Sequence, residues 1–377
     1  MPGRSFDAIV IGAGPTGSTA ARVLAAAGLR TCLLESRAWQ RDKVCGGGLT
    51  LRAIAALESS GLTRRSLLEA GLLRRPITNL ATQYAGLPAS LLRFRSPLFY
   101  TTERRHLDAF LAQAAIEAGV RFWDGTRVDD VNPRDERVHV STGWVELTAR
   151  WVIAADGAAS LVARKRFPPP DLMARAVTVT VPAQTDSRTA RLDLAVPRGY
   201  GWIFPRGRGC GLSAGAASYR TGFRRLEWLL NGLLRRHGLS TSAPIARWVI
   251  PCRTRFSPVH QGRIAVAGNA AGLADPLTGE GIGPAILSGL LAAETVIEAA
   301  QAGHATLGAY SERIKQHFWP AQRRAGVAAG MFPALLPLLY LFGRFAPVRN
   351  ALARRMCAFP VGPGAGSGLG HQSQPAG

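Results

Sequence analysis

The chain has 377 residues, 47% of them hydrophobic, which is enough for a large core and two domains of ordinary size. Its formal net charge is +22, and only three of its 46 basic residues are lysines. No basic run is interleaved with aromatic residues as in nucleic-acid modules, so we expect this charge to face an anionic membrane surface, not nucleic acid. Five scattered cysteines without a C-x-x-C pair argue against a disulfide framework, and the seven histidines lack metal-ligand spacing.

The first stretch of the chain carries a glycine motif between a predicted strand, Ala8–Ile11, and a predicted helix, Ser18–Ala27. The motif has the spacing G-x-G-x-x-G and consists of Gly12, Gly14 and Gly17. Its glycines permit a tight turn, close approach of a pyrophosphate and close packing of helix on strand. A second strand, Thr31–Glu35, ends in a carboxylate that can accept both ribose hydroxyls of an adenosine. The motif alone fits any α/β turn, but together these elements predict a dinucleotide site.

Three consecutive glycines follow Cys45, and their backbone can approach a flat ligand closely. Cys45 is then either a small apolar packing residue or a thiol held beside the ring of that ligand. After two short helices predicted over 51–71, an amphipathic helix is predicted over Glu103–Gly119. Arg104 stands in its first turn, where the helix dipole disfavours a cation. Arg104 is therefore either solvated or held by an anion.

Two further segments offer ligand contacts in the middle of the chain. The apolar strand Trp151–Ala155 ends in an Asp-Gly turn, where a carboxylate and a bare backbone can meet a ligand. The alternating runs of Ala174–Ala217 predict a second sheet beside the first domain. Within it, side chains two residues apart face the same side of a strand, which aligns Tyr200, Trp202 and Phe204. These aromatics are either core residues or a wall around a hydrophobic substrate.

A buried strand over Arg263–Ala267 precedes Asn269 and a Gly/Pro-rich loop that opens a long helix over 282–300. The N-terminus of that helix offers N–H groups and a positive dipole to an anionic edge, such as that of a reduced flavin. Ala325–Gly343 contains no charge over nineteen residues and is followed by arginines. Because its prolines weaken the case for a span, we expect an interfacial or substrate-shielding helical hairpin.

The two ends of the chain complete the expected location of the protein. No charged region with a cleavage site precedes the first strand, so we expect no signal peptide. With the basic charge and the apolar C-terminal stretch, this predicts a cytoplasmic protein that is peripheral at the membrane. The Gly/Ser/Pro-rich residues 360–377 predict a disordered tail.

Four separated pieces jointly resemble the para-hydroxybenzoate-hydroxylase-like FAD superfamily over about residues 5 to 300. They are GAGPTG with Glu35, the R-x-x-L-D motif at 104–108, the A-D-G turn at 155–157 and the segment GNAAGLADPLTGEG at 268–281. Within that superfamily, KVCGGGL, YGWIFP and PLTGEGI resemble the geranylgeranyl reductase family. Its members reduce isoprenoid C=C bonds using FAD.

The resemblance implies roles for named residues. The adenosine diphosphate half of FAD would be held by Gly12, Gly14, Gly17 and Glu35. The isoalloxazine would be lined by Cys45, Gly46, Gly48, Gly281 and Ile282. Arg104 would contact the diphosphate or ribityl region and Val128 the adenine through its backbone, with Asp156 and Gly157 in the same cofactor site. Cys45 is the candidate proton donor, and the prenyl substrate would lie against Tyr200, Trp202 and Phe204.

One position departs from the family pattern, and two other functions stay open. Asn269 stands where the family has an aspartate that hydrogen-bonds the ribityl chain, so we expect a weaker contact there. The rival enzyme is an aromatic hydroxylase or a halogenase on the same fold; halogenases use an active-site lysine, and Lys43 lies beside the glycine loop. A membrane-docked flavin-binding protein without chemistry of its own is the third class. The electron donor is either NADPH or a ferredoxin.

The predicted fold is α/β, with a Rossmann-like FAD-binding domain, a β-sheet substrate domain and a helical C-terminal region. Residues 1–170 and 256–303 are assigned to the FAD-binding domain and residues 171–255 to the β-rich substrate domain. A helical apolar region over 304–359 and the tail over 360–377 complete the chain.

Overall fold

The structure is a computed structural model that describes residues 4–84, 87–183, 185, 187–207 and 209–342. Its helices are α1 (Pro15–Ala26), α2 (Leu51–Ser59), α3 (Arg64–Glu69), α4 (Arg104–Glu117), α5 (Leu161–Arg166), α6 (Phe223–Arg236), α7 (Ile282–Gln301) and α8 (Gly308–Phe342). Short 3₁₀ turns occupy Gly157–Ala159 and Gly268–Ala271.

The strands are between two and ten residues long. In chain order they are β1 (Ser5–Ile11), β2 (Thr31–Leu34), β3 (Gly48–Thr50), β4 (Arg75–Ile77), β5 (Asn79–Gln83), β6 (Ser90–Arg93), β7 (Phe99–Thr101), β8 (Arg121–Trp123), β9 (Val128–Arg134), β10 (Arg137–Thr142), β11 (Glu146–Ala154), β12 (Leu172–Val181), β13 (Thr189–Asp193), β14 (Gly199–Pro205), β15 (Leu212–Ser218), β16 (Ala246–Cys252), β17 (His260–Gln261) and β18 (Ile264–Val266).

The first sheet, which we call the dinucleotide sheet, has the order β17-β18-β11-β1-β2-β8, with β10 and β9 attached beside β11. Its central strands β18, β11, β1, β2 and β8 run parallel. Ile9, Leu33 and Val152 are fully buried, as expected of parallel strands covered on both faces. Helix α1 packs against α7 so closely that a Cβ at Gly289 would lie 2.3 Å from the Thr16 carbonyl oxygen. Helices α1 and α7 are therefore closely packed where α1 begins, just after the carboxyl end of β1.

The second sheet, the substrate sheet, has the order β16-β12-β15-β14-β13-β5-β6. All its pairs are antiparallel except β13 with β5. Helix α6 buries Leu226, Leu230 and Leu233 against Val177 and Ile203 of this sheet. The opposite face, which carries Trp202, is left for the site. A small antiparallel sheet, β3-β7-β4, links the glycine loop, residues 46–48, to the rest of the fold.

The predicted α/β architecture is confirmed, and the predicted elements occur with small shifts of their ends. The domain division stays a prediction. Residues 79–93, which it assigns to the FAD-binding part, contribute β5 and β6 to the substrate sheet. The chain therefore crosses to the second sheet once before residue 171, a crossing that the sequence pattern did not indicate.

The predicted apolar stretch Ala325–Gly343 coincides with the end of α8 up to Phe342. The remainder of the predicted hairpin and the tail over 360–377 lie outside the described residues. One described helix, α7, is long and apolar enough to cross a membrane, but 78% of its most apolar stretch is buried inside the protein. That burial is typical of a core helix, and the expected membrane contact stays a prediction.

Candidate functional site

The glycine motif forms a tight turn at the carboxyl end of β1. Gly12 has φ +99°, a left-handed conformation that favours glycine. A Cβ at Gly17 would lie 1.9 Å from the Gly12 carbonyl oxygen, so only glycine lets α1 begin this close to the strand. Gly14 precedes the first residue of α1 and lines a central cleft between the two sheets. The turn thus presents backbone and a helix N-terminus to that cleft, as a pyrophosphate requires.

Glu35 follows β2 and lies beside this turn. Its Oε2 accepts hydrogen bonds from the Ala13 N–H and from Arg41 Nη2, both at 3.0 Å. Burial acts to raise the pKa of Glu35, but these bonds and the Arg41 charge hold it below its ordinary value. The backbone oxygen of Glu35 accepts from the Thr126 N–H at 2.8 Å, which places the start of β9, Val128, close to the acid. Val128 itself packs against the core of the dinucleotide sheet.

Arg41 is a residue that the sequence argument missed. Besides Glu35 it reaches Asp108 Oδ2 at 3.3 Å, and its guanidinium passes 3.8 Å from where a Gly14 Cβ would stand. Its side chain is only 16% exposed. A cation therefore spans the glycine turn between two carboxylates, where the phosphates of a dinucleotide would lie.

Arg104 makes a bidentate ion pair with Asp108 one turn further along α4, with both distances 2.8 Å. Burial opposes its charge, but attraction to Asp108 raises the pKa of Arg104, and Cys45 acts in the same direction. Arg104 lines the central cleft beside Cys45 and Gly46. The predicted anion partner is thus present as Asp108, with the guanidinium still facing the cleft.

The Asp-Gly turn and the start of α7 close the other side of the cleft. Asp156 Oδ2 accepts from the Leu161 N–H at 2.9 Å, whereas its Oδ1 is buried and has no hydrogen-bond partner among the described residues. Burial raises the pKa of this carboxyl. Gly157 lines the cleft with φ +81°. Asn269 and Gly281 meet there, since a Cβ at Gly281 would lie 3.3 Å from Asn269 Oδ1, and Ile282 follows at the start of α7.

Lys43 also faces the central cleft. Its Nζ lies 5.5 Å from the centroid of the Trp248 ring and 3.7 Å from where a Gly157 Cβ would stand. Burial, and then repulsion from Arg104, lowers the pKa of Lys43 to about 8. The lysine is therefore a cleft residue, and it does not line the apolar cavity described next.

An apolar cavity of about 320 Å³ opens beside the glycine loop. Its aromatic wall is β14, in which the ring centroids of Tyr200 and Trp202 are 6.0 Å apart and those of Trp202 and Phe204 6.4 Å apart. Leu80, Leu92 and Leu192 extend the wall, because β5, β6 and β13 lie in the same sheet. Gly48 faces this cavity, whereas Cys45 and Gly46 border both the cavity and the central cleft.

One carboxylate within this apolar cavity was also missed by the sequence argument. Glu280 Oε1 accepts from the Gly283 N–H at 2.7 Å and from the Thr50 hydroxyl at 3.3 Å, and its Oε2 pairs with Arg52 at 3.2 Å. Burial raises the pKa of Glu280 despite the Arg52 charge. The residue stands in the GEG of the quoted motif, which is the signal that could have singled it out.

A glycine turn at a parallel sheet, an acid after the second strand and a cleft at the strand ends define a dinucleotide-binding protein. In agreement, a family model described as FAD binding domain matches residues 5–181. The chain is 30% identical over 391 residues to menaquinone reductase of Mycolicibacterium smegmatis, covering 93% of this chain and 88% of the relative. It therefore belongs to the geranylgeranyl reductase family of FAD-dependent oxidoreductases, as its motifs predicted.

Two further proteins illustrate the relationship. Digeranylgeranylglycerophospholipid reductase 1 of Methanopyrus kandleri is 28% identical over 358 residues, covering 88% of this chain and 91% of that protein. The crystal structure of a geranylgeranyl bacteriochlorophyll reductase-like protein from Thermoplasma acidophilum shares the fold, with a TM-score of 0.80 at 23% identity, covering 93% of this chain and 96% of that one. The residues present fit FAD, because the glycine cradle at Gly12 and Gly17 excludes a Cβ and Arg104 lines the cleft together with Gly14.

Proposed function

We propose that the protein reduces isoprenoid C=C bonds of a prenyl lipid or a prenylated pigment, using bound FAD. The observation that carries this proposal is the apolar cavity with its aromatic wall, which meets the central cleft at Cys45 and Gly46. An apolar chain entering it would bring an alkene to the edge of the cleft. The names of the relatives, which act on digeranylgeranylglycerophospholipid or menaquinone, support a prenyl-bearing substrate.

The cofactor-binding roles are distributed around the cleft. Gly12, Gly14 and Gly17 would hold the diphosphate through backbone groups, and Glu35 the adenosine ribose. Arg41 and Arg104 would supply the counter-charge, and Gly157 and Asn269 would face the remainder of the cofactor. Asp156 itself does not line the cleft, so its role would be to hold the turn through the Leu161 N–H. Gly281 and Ile282 at the start of α7 would favour a negative flavin edge. FAD, once reduced, supplies the hydride that reaches one alkene carbon.

A proton must reach the other alkene carbon, and we propose that Cys45 holds it. The Cys45 Sγ accepts from the Gly47 N–H at 3.4 Å, which fixes the thiol at the junction of cleft and cavity. Tyr200, Trp202 and Phe204 orient the chain and exclude water. Tyr200 is itself anchored, because its hydroxyl donates to the Thr278 carbonyl oxygen.

The geometry disfavours the halogenase alternative. A halogenase lysine has to act beside its aromatic substrate, whereas Lys43 faces the central cleft and not the apolar cavity. A flavin-binding protein without chemistry would have no need for a substrate-sized apolar cavity at the ring edge.

The test is anaerobic. The purified chain should be yellow and should release FAD on denaturation. After reduction by dithionite, its flavin should be reoxidised by prenyl lipids, and mass spectrometry should detect the product with a saturated bond. Cys45→Ala should slow this single turnover by roughly a hundredfold or more with FAD content unchanged. Cys32→Ala, which removes a fully buried thiol within β2, is the matched control. No reoxidation by any prenyl substrate would reject the proposed function, and a near-normal Cys45→Ala rate would reject the role of the thiol.

A further inference from the structure

Lys43 is a basic residue of the central cleft that the proposed function leaves without a role. It lies in the loop that leads from β2 to β3, and its side chain is partly buried. Its Nζ lies 5.5 Å from the centroid of the Trp248 ring on β16 and 3.7 Å from where a Gly157 Cβ would stand. The ammonium group therefore reaches across the cleft toward both the turn after β11 and the substrate sheet.

The acidic residues nearest the cleft already pair with other cations. Of the described residues that line the cleft, Lys43 and Arg104 are the two that carry a charge. Asp108 pairs with Arg104 at 2.8 Å and with Arg41 at 3.3 Å, and Glu35 pairs with Arg41 at 3.0 Å. Lys43 makes no hydrogen bond or ion pair within the part of the chain that the structure describes. Its charge is therefore available to an anionic group that enters the cleft.

The surroundings of Lys43 make its charge responsive to such an anion. Burial, and then repulsion from Arg104, lowers the pKa of Lys43 to about 8; Arg41 acts in the same direction, whereas Asp108 and Cys45 oppose it. The substrate sheet and the start of α7 add no charged side chain to the described lining of the cleft. A negative charge beside the ammonium group would raise this pKa again, because attraction favours the charged form of a lysine.

Two parts of FAD can carry negative charge, the diphosphate and the reduced ring. The diphosphate is expected at the glycine turn, which the Arg41 guanidinium spans. The ring is expected beside Gly46, which packs on the substrate sheet, since its Cβ would lie 3.3 Å from the Trp202 indole nitrogen. Lys43 contacts Trp248 of that same sheet. Its position therefore favours the ring over the diphosphate.

We propose that Lys43 stabilises the negative charge of the reduced flavin ring and thereby raises its reduction potential. The inference rests on the cofactor arrangement of the proposed function and not on the substrate. Two electrons and one proton reduce the ring and leave it with one negative charge. A nearby ammonium group stabilises that charged form more than the neutral oxidised form. Lys43 would thus favour the entry of electrons into the cofactor, and it does not line the apolar cavity.

The experiment is an anaerobic redox titration of the FAD-loaded full chain with dithionite, against a reference dye and without substrate. Lys43→Met should shift the two-electron equilibrium roughly tenfold toward the oxidised form, which corresponds to a midpoint potential about 30 mV lower. Lys43→Gln should give the same shift, whereas Lys43→Arg should retain most of the potential. Lys165→Met is the matched control and should change nothing, because Lys165 is 51% exposed and pairs with Asp130 outside the cleft.

The pH dependence of the midpoint potential gives a second measurement. Above about pH 8, Lys43 should take up a proton as the ring becomes negative, because its pKa then rises. One additional proton per two electrons makes the potential of the unchanged chain fall about 30 mV more per pH unit than that of Lys43→Met. Cys45→Ala should retain this steeper dependence, which separates the lysine from the neighbouring thiol.

Equal midpoint potentials of Lys43→Met and the unchanged chain would overturn the proposal. So would weaker FAD binding by Lys43→Met at an unchanged potential, because the lysine would then hold the diphosphate. Circular dichroism verifies that each variant is folded. The proposed function is tested separately, by reoxidation with prenyl lipids. A chain with a lysine-dependent potential that reduces no prenyl substrate would support this inference and reject only the substrate.

Discussion

The dinucleotide sheet and the substrate sheet contribute to the functional site by different means. The dinucleotide sheet uses the ends of its strands, where backbone groups and glycines leave no room for added atoms, as at Gly17. The substrate sheet uses its face, where Tyr200, Trp202 and Phe204 lie side by side with about 320 Å³ of space beside them. Substitutions at the strand ends of the dinucleotide sheet should therefore abolish FAD binding. Substitutions on the face of the substrate sheet should instead lower the affinity for the prenyl substrate gradually.

The largest effect is expected at Gly17. Gly17→Ala would place a Cβ 1.9 Å from the Gly12 carbonyl oxygen, and because that oxygen is backbone, the turn has to move. Overpacking of this kind costs roughly 1–3 kcal/mol or more, and we expect loss of bound FAD together with a lower melting temperature. Absorbance at flavin wavelengths and thermal unfolding measure both.

Gly232→Ala is the control for Gly17→Ala, since both glycines lie within α-helices. At Gly232 the added Cβ would meet only flexible arginine side chains at 3.6 Å or more. The alanine should stabilise α6 by about 0.5–1 kcal/mol. Equal behaviour of the two variants would show that steric closure of the turn is not what makes Gly17 necessary.

The contrast between backbone turns and side-chain contacts also explains which parts of the site the sequence predicted. The glycine turn, the strand ends and the start of α7 followed from local patterns, because glycine spacing and apolar runs act over a few residues. Arg41 and Glu280 escaped, because each has an ionic partner far along the chain: Asp108 lies 67 residues from Arg41, and Arg52 lies 228 from Glu280. The entry of residues 79–93 into the substrate sheet escaped for the same reason, because β5 pairs with β13, which lies more than a hundred residues further along the chain.

The second prediction concerns the aromatic wall. Trp202→Ala should raise KM for a prenyl substrate roughly thirtyfold, which corresponds to about 2 kcal/mol of lost apolar contact, with a smaller change in kcat. Trp202→Phe retains an aromatic ring, so its KM should lie between those of the unchanged chain and Trp202→Ala. Trp228→Ala, on the outer face of α6 with Trp228 55% exposed, is the matched control. A fall in kcat with KM unchanged would contradict a wall and indicate a role in the chemistry.

The third prediction uses the pH dependence of Glu35. Its pKa is held below the ordinary value of 4.5 by Arg41 and backbone N–H groups, against the effect of burial. Its contribution to stability is therefore complete above pH 4.5 and is lost as the pH falls through the lowered folded value. Glu35→Gln should reduce the decrease in the free energy of unfolding measured from pH 6 to pH 3. It should also weaken FAD binding at neutral pH roughly tenfold.

Glu69→Gln controls for the loss of one carboxylate, because the Glu69 side chain is 62% exposed and pairs only with exposed Arg65 among the described residues. Its acid profile should match that of the unchanged chain. If Glu35→Gln retains the full acid loss, then Glu35 does not carry it.

The smallest effect is expected at Asn269, where the chain departs from the family pattern. Its Oδ1 stands near Gly281, directly before the first turn of α7, where the helix dipole favours negative charge. Asn269→Asp would supply a charged acceptor to the cofactor, and a dipole gain of about 0.3–1 kcal/mol corresponds to roughly two- to fivefold tighter FAD binding. Asn269→Ala removes the acceptor and should weaken binding instead. FAD titration of the apoprotein measures both, and tighter binding by Asn269→Ala, or no gain with Asn269→Asp, would mean that this side chain does not reach the cofactor.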